Sequence, residues 1–230
     1  LRFYSEEEFE LIENPFSTTA DSGPVEDPTM FFGREEFIRT VTESVLGSCS
    51  KCIIIYGQKR SGKSSVLFHL KNHLLKEYNA FCIQFSLGEI IEDLSSEVFY
   101  YKVLTEIEDT LDILRERNDL VPPFNAPTIN EIYKAPSIIF NEKLRSLNRS
   151  FKSTSGWENK KLVLLLDEFT YIYTAIRKSI LDEQFMKSWC ILREKGYFTS
   201  VFVFQDIMPK FTAAYPNEFG VTDPKRLSYL

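Results

Sequence analysis

The sequence predicts an α/β protein whose parallel sheet is covered by helices on both faces. Three observations predict it. Cys52–Tyr56 and Leu162–Leu166 are apolar without alternation, and Thr199–Phe204 is β-branched and aromatic. Strands buried on both faces read this way. Segments of helical period lie between them. The chain has 230 residues, 43% of them apolar, with 20 phenylalanines. That suffices to fill the core of one large domain. The domain is expected over residues 31–230, preceded by an irregular segment or linker over 1–30.

The elements follow in order. Asn14-Pro15-Phe16 and Asp21-Ser22-Gly23-Pro24 are turn chemistry within the irregular leader. Gly33-Arg34-Glu35 leads into a helix through Leu46, with Phe37, Ile38, Val41 and Val45 at helical spacing. After the strand at Cys52–Tyr56, residues 61–77 read as a helix and 80–85 as a strand. A long helix spans 94–117. Residues 118–135 contain Pro122, Pro123 and Pro127 and read as an irregular excursion. Residues 136–151 return to helix, and 153–159 form a polar loop. The strand at Leu162–Leu166 is followed by a helix over 182–195, capped by Gly196. After the strand at Thr199–Phe204 come a short helix over 209–215 and one more strand beginning at Arg226. No internal repeat is visible.

Composition excludes some functions. The net charge is −6, whereas a domain that grips nucleic acid through phosphates carries a basic excess. Nucleic acid is therefore not indicated as a partner by charge. No run of 18 apolar residues marks a membrane span, and no signal peptide is visible. The chain begins at Leu1, as a piece of a longer protein would. Cys49 and Cys52 have the spacing of half a zinc site, but no second pair completes it. The only histidines, His69 and His73, are expected on a helix surface. No disulfide is expected, and no metal beyond a nucleotide's magnesium. Reduced cysteines suit the cytoplasm.

The chemistry concentrates in four places. Gly57-Gln58-Lys59-Arg60-Ser61-Gly62-Lys63-Ser64 fits the phosphate-binding pattern G-x-x-x-x-G-K-[ST]. Its glycines let backbone N–H groups turn inward, and the helix that follows presents its positive end. Lys63 would neutralise β- and γ-phosphate charge, and Ser64 would offer its hydroxyl to magnesium. Ser65 follows directly. Second, the strand Leu162–Leu166 ends in Asp167-Glu168. Asp167 would hold magnesium through water, and Glu168 would polarise an attacking water. Third, the last long strand ends in Gln205-Asp206, whose side chains would either orient the terminal phosphate or water, or simply cap the strand. Fourth, Arg226 in Lys225-Arg226 is either a surface residue or an arginine finger reaching a neighbour's nucleotide. No Asn-Lys-x-Asp segment marks a guanine site.

Together, FFGRE, GQKRSGKSS, LVLLLDEF and FQDIMPKFTAAYPNEFG, in that order, resemble the AAA+-related branch of P-loop ATPases. Within it the chain is similar to the signal-transduction ATPases with numerous domains (STAND), many of which serve in bacterial signalling or anti-phage defence. The resemblance covers residues 14–230. It implies a three-layer P-loop NTPase fold of the ASCE kind, with strand order 5-1-4-3-2. It implies ATP or ADP with Mg²⁺ as ligand. Glu168, Lys63 and Gln205 would be catalytic. Gly33 and Arg34 would belong to the segment folded over the adenine. Gly57 to Ser65 and Asp167 would complete nucleotide binding, with Ser64 and Asp167 at the metal. Gln205 stands where AAA+ proteins often use Asn, Ser or Thr and the signalling relatives often use Arg. Phe204 stands where a small residue is expected. The family continues into a helical lid and a winged-helix domain. Neither is expected in this chain, which stops at RLSYL, and little turnover is expected without them.

Three functions follow. One is an ATP-operated switch controlling oligomerisation and an effector, with turnover slow or dependent on assembly. The second is a DNA-handling ATPase of the origin-recognition or loader type. The third is an interaction module with a pocket that does not turn over. The joint presence of Lys63 and Glu168 argues against the third.

Overall fold

A computed structural model describes residues 23–47, 52–117, 119–216 and 222–228. Five strands form one sheet: β1 (Cys52–Tyr56), β2 (Phe81–Ser86), β3 (Leu162–Asp167), β4 (Phe198–Phe204) and β5 (Asp223–Arg226). All pairs are parallel, and the order is β2-β3-β4-β1-β5, the order that the motif resemblance implies. The Asp-Glu strand β3 is thus separated from the P-loop strand β1 by β4.

Because side chains alternate along a strand, the two faces of the sheet differ. One face is aliphatic. Ile53, Ile55, Val163, Leu165, Val201 and Val203 pack against α1 (Glu35–Leu46) and α2 (Lys63–Tyr78) through Val41, Val45, Val66, Leu67 and Leu70. The other face is aromatic. Phe81, Phe85, Phe198, Phe202 and Phe204 meet α3 (Ser96–Glu116), α5 (Pro136–Ser153) and α7 (Gln184–Glu194). Trp189 is fully buried there. It lies edge-on to Phe99 with ring centres 5.2 Å apart and tilted against Phe198 at 4.9 Å, the offset geometries that aromatic pairs prefer. Much of the phenylalanine content is spent on this one face.

Three expectations are corrected. The stretch read as irregular contains a short helix, α4 (Ile129–Lys134). Thr128 and Glu131 close a reciprocal capping box at its start, a T-x-x-E signal that the prolines before it obscure. A further helix, α6 (Thr170–Arg177), directly follows β3. Its residues TYIYTAIR are β-branched and aromatic, so local propensity favours a strand. Ile172, Ala175 and Ile176 nevertheless bury one helical stripe. Lastly, the final strand ends at Arg226 rather than beginning there. Its sequence DPKR carries no apolar signal, and Pro224 is tolerated because β5 is an edge strand. The short helix α8 (Met208–Ala214) follows β4. Gly196, at φ 77°, follows α7 in the left-handed conformation, and its N–H bonds to Arg193 O.

Cys52 and Cys82 are buried; Cys49 lies outside the described residues. No described helix is long and apolar enough to cross a membrane.

Candidate functional site

The P-loop leaves β1 at the carboxyl edge of the sheet. Gly57 N–H donates to Phe204 O, tying the loop's first residue to the end of β4. A side chain is excluded at Gly57, since a Cβ there would lie 2.4 Å from the main-chain oxygen of Leu227. Leu227 N–H itself donates to Tyr56 O at 2.7 Å, so the residue just past β5 is wedged beneath the loop. Gly57→Ala should therefore push β5 away and cost about 1–3 kcal/mol, read as a lowered melting temperature.

Gly62 has φ 83° and leads into α2, which begins at Lys63 rather than Ser61. Arg60 also has positive φ. Such turns point successive N–H groups to one side and suit anions. Lys63 Nζ folds back onto the loop, donating to Gly57 O at 3.1 Å and Gln58 O at 2.5 Å. Ser64 Oγ donates to Asp167 Oδ2 at 2.7 Å. The Ser61 hydroxyl is buried and has no hydrogen-bond partner among the described residues.

Asp167 ends β3, and its Oδ1 accepts the Glu168 N–H at 2.7 Å. Burial pushes the Asp167 carboxyl above its ordinary pKa; the Ser64 hydroxyl and the Glu168 amide pull it back. Partial burial holds Lys63 below the ordinary lysine value, opposed by the charges of Asp167 and Asp206. Glu168 sits at φ 54°, a left-handed conformation that costs a non-glycine residue about 1 kcal/mol or more. The turn is held by Phe169 N–H on Val203 O. It aims the carboxylate at β2, where Ser86 Oγ donates to Glu168 Oε2 at 2.5 Å. Gly88 leaves room for that carboxylate, because a Cβ there would meet Oε2 at 2.5 Å.

These groups line one cleft of about 150 Å³, walled by Lys59, Arg60, Lys63, Ser64, Asp167, Glu168 and Gln205. Gln205 is exposed, and its N–H donates to Thr170 Oγ1. Phe204 also borders the cleft, and its ring packs in the aromatic core, tilted against Phe169 and Phe211. That packing accounts for a large residue where a small one was expected.

A second, larger cleft of about 420 Å³ lies on the other side of the loop and shares Arg60 with the first. Val25, Met30, Phe31, Phe32 and Arg34 form one wall; Ser61, Gly62 and Ser65 form the other. Gly33, at φ 69°, turns the chain between Phe32 and Arg34. The Arg34 guanidinium donates to Ser228 O at 2.6 Å. Arg226 is exposed on the edge strand, opposite Tyr56 in register, and lines neither cleft.

Sequence reasoning missed Ser86, Gly88, Thr170 and His69. Ser86 carries a local signal, since S-x-x-E after a strand is a capping box. His69 was expected on an open helix surface. It is partly buried, bonded to Val25 O and stacked on Phe31.

No family model matches the chain. An uncharacterised ATP-binding protein of Pyrococcus abyssi is 25% identical over 174 residues, covering 76% of this chain and 49% of its own. Among solved structures, Cdc6p of Pyrobaculum aerophilum aligns with a TM-score of 0.52 at 14% identity, over 90% of this chain and 48% of its own. Drosophila ORC, solved bound to DNA, aligns with a TM-score of 0.51 at 16% identity, over 86% and 43%. The chain thus spans about half the length of the relatives it matches. The parallel five-stranded sheet in the order 2-3-4-1-5, with a P-loop leaving its β1 strand, gives this chain the α/β fold of the AAA+ P-loop NTPases.

Proposed function

We propose that the chain binds ATP with magnesium, hydrolyses it slowly, and acts in the cytoplasm as a nucleotide-dependent switch over self-association or an attached effector. The carrying observation is the convergence of Lys63, Ser64, Asp167 and Glu168 on one cleft beneath the P-loop. The ATP-binding relative supports the choice of nucleotide.

The residues divide the work. Lys63 now spends its charge on two loop carbonyls, and phosphate oxygens are stronger acceptors for it. The P-loop turn and the N-terminal end of α2 would offer backbone N–H groups to the same phosphates. The second cleft takes the base and ribose, against the wall formed by residues 25–34. Ser64 and, through water, Asp167 would hold magnesium. The metal would supply charge neutralisation at the β- and γ-phosphates. Glu168 accepts the proton of the attacking water. Its contact with Ser86 through Oε2 holds the carboxylate toward β2 and leaves Oε1 to take the proton. Gln205, on the cleft wall, would orient the water or the terminal phosphate. Arg226, outside both clefts, would act as a finger only toward a second copy.

Asp167 sets a pH dependence. A protonated carboxyl cannot support the metal, so the magnesium-dependent part of ATP affinity falls as pH is lowered. The raised pKa places that loss at higher pH than for an ordinary aspartate. The stability sign is opposite. A folded-state pKa above the unfolded value means that ionisation costs stability as pH rises through it. Asp167→Asn should therefore abolish magnesium-dependent ATP affinity without lowering the ligand-free melting temperature at neutral pH. A fall in that temperature with magnesium dependence intact would contradict the assignment.

The STAND-like switch, including a part in anti-phage defence, rests on motif order and predicts assembly that follows the nucleotide. Light scattering with ATP, ADP and no nucleotide tests it: ATP should give a larger particle, and identical masses sink the switch. The likeness to ORC and Cdc6p folds favours DNA handling as a second reading. Salt-dependent DNA binding by this chain would support that reading, and the net charge of −6 weighs against it.

A further inference from the structure

The larger cleft has walls from two parts of the chain: residues 25–34 on one side, the P-loop and the first turn of α2 on the other. Three contacts clamp them together. Val25 N–H donates to Ser65 Oγ at 2.8 Å. Val25 O lies 2.9 Å from His69 Nε2. A carbonyl only accepts, so Nε2 carries a proton. The His69 ring also stacks on Phe31, with centroids 3.9 Å apart and planes 23° from parallel.

The geometry is economical. Ser65 and His69 lie four residues apart on α2 and so share a face. Together they bond both main-chain polar groups of Val25. Val25, Phe31 and Ser65 line the cleft; His69 does not. His69 thus stands behind the wall and fixes its position. Arg34, at the far end of the same segment, is held by Ser228 O.

We infer that Ser65 and His69 form a clip that locks residues 25–34 onto α2, and that His69 is a positioning residue for the nucleoside half of the ligand. The inference rests on the nucleotide reading of the two clefts. It separates the ligand into parts that respond differently. The clip touches the base-side wall, whereas Lys63, Ser64 and Asp167 serve the phosphates. Loosening the clip should weaken a nucleoside triphosphate and spare a bare polyphosphate.

Titrations of ATP and of inorganic tripolyphosphate, both with magnesium, test this on the wild-type chain and on His69→Ala, His69→Phe and His69→Gln. Loss of one hydrogen bond and one ring stack amounts to about tenfold in affinity. His69→Ala should show that loss for ATP, with tripolyphosphate affinity unchanged within about twofold. His69→Phe, which keeps a ring against Phe31, and His69→Gln, which keeps a donor for Val25 O, should each recover part of it. Equal losses for both ligands would mean general damage to the P-loop and overturn the inference. Unchanged ATP affinity in all three variants would overturn it while leaving the nucleotide reading intact. Wild-type protein that binds neither ligand would overturn that reading and the clip with it.

Discussion

Lys63→Ala should weaken the proposed ATP binding about a hundredfold. The side chain offers charge-assisted hydrogen bonds to phosphate, together worth about 3 kcal/mol, and about 1.4 kcal/mol corresponds to each tenfold in affinity. Without ligand, Lys63 donates to the carbonyls of Gly57 and Gln58. Its ammonium is already partly desolvated, which holds its pKa below the ordinary value. Removing it should therefore leave the melting temperature of the ligand-free protein nearly unchanged. Equilibrium titration checks the affinity, and a thermal melt checks the fold. Wild-type affinity in the variant would mean that the phosphates bind elsewhere.

Glu168→Gln separates binding from turnover. The amide preserves shape and still accepts from the Ser86 hydroxyl, but it cannot take a proton from water. General-base catalysis contributes about 10²–10⁴ in rate. Single-turnover hydrolysis should fall within that range while ATP affinity holds. The prediction is specific to Glu168 because its backbone is held at φ 54° to aim this one carboxylate. An unchanged rate in the variant would assign the base to another group, with Asp206, next to Gln205 at the end of β4, the first to examine.

Legibility followed the physics of burial. β1, β3 and β4 are buried along almost their whole length, so they read as continuous apolar or β-rich runs. The P-loop reads from sequence because its glycines and lysine act locally. β5 did not read: it is a four-residue edge strand whose side chains alternate between partly buried and exposed. α6 did not read because its residues favour a strand, and only burial of Ile172, Ala175 and Ile176 against the aromatic face decides for helix. In the candidate site, Ser64 and Asp167 meet across 103 residues, a pairing that motif order suggests. The contacts of Ser86 with Glu168, 82 residues apart, and of His69 with Val25, 44 apart, have no such signature. They depend on the tip of β2 and the segment before α1 coming to the same edge of the sheet.

On the proposed reading, the P-loop cleft binds a magnesium-bound nucleoside triphosphate. Isothermal titration of ATP into the protein, once with magnesium and once with a chelator, tests it most directly. One saturable site per chain is expected, tighter with magnesium, with that difference lost in Asp167→Asn. No saturable binding, or binding equally strong with and without magnesium, would contradict it.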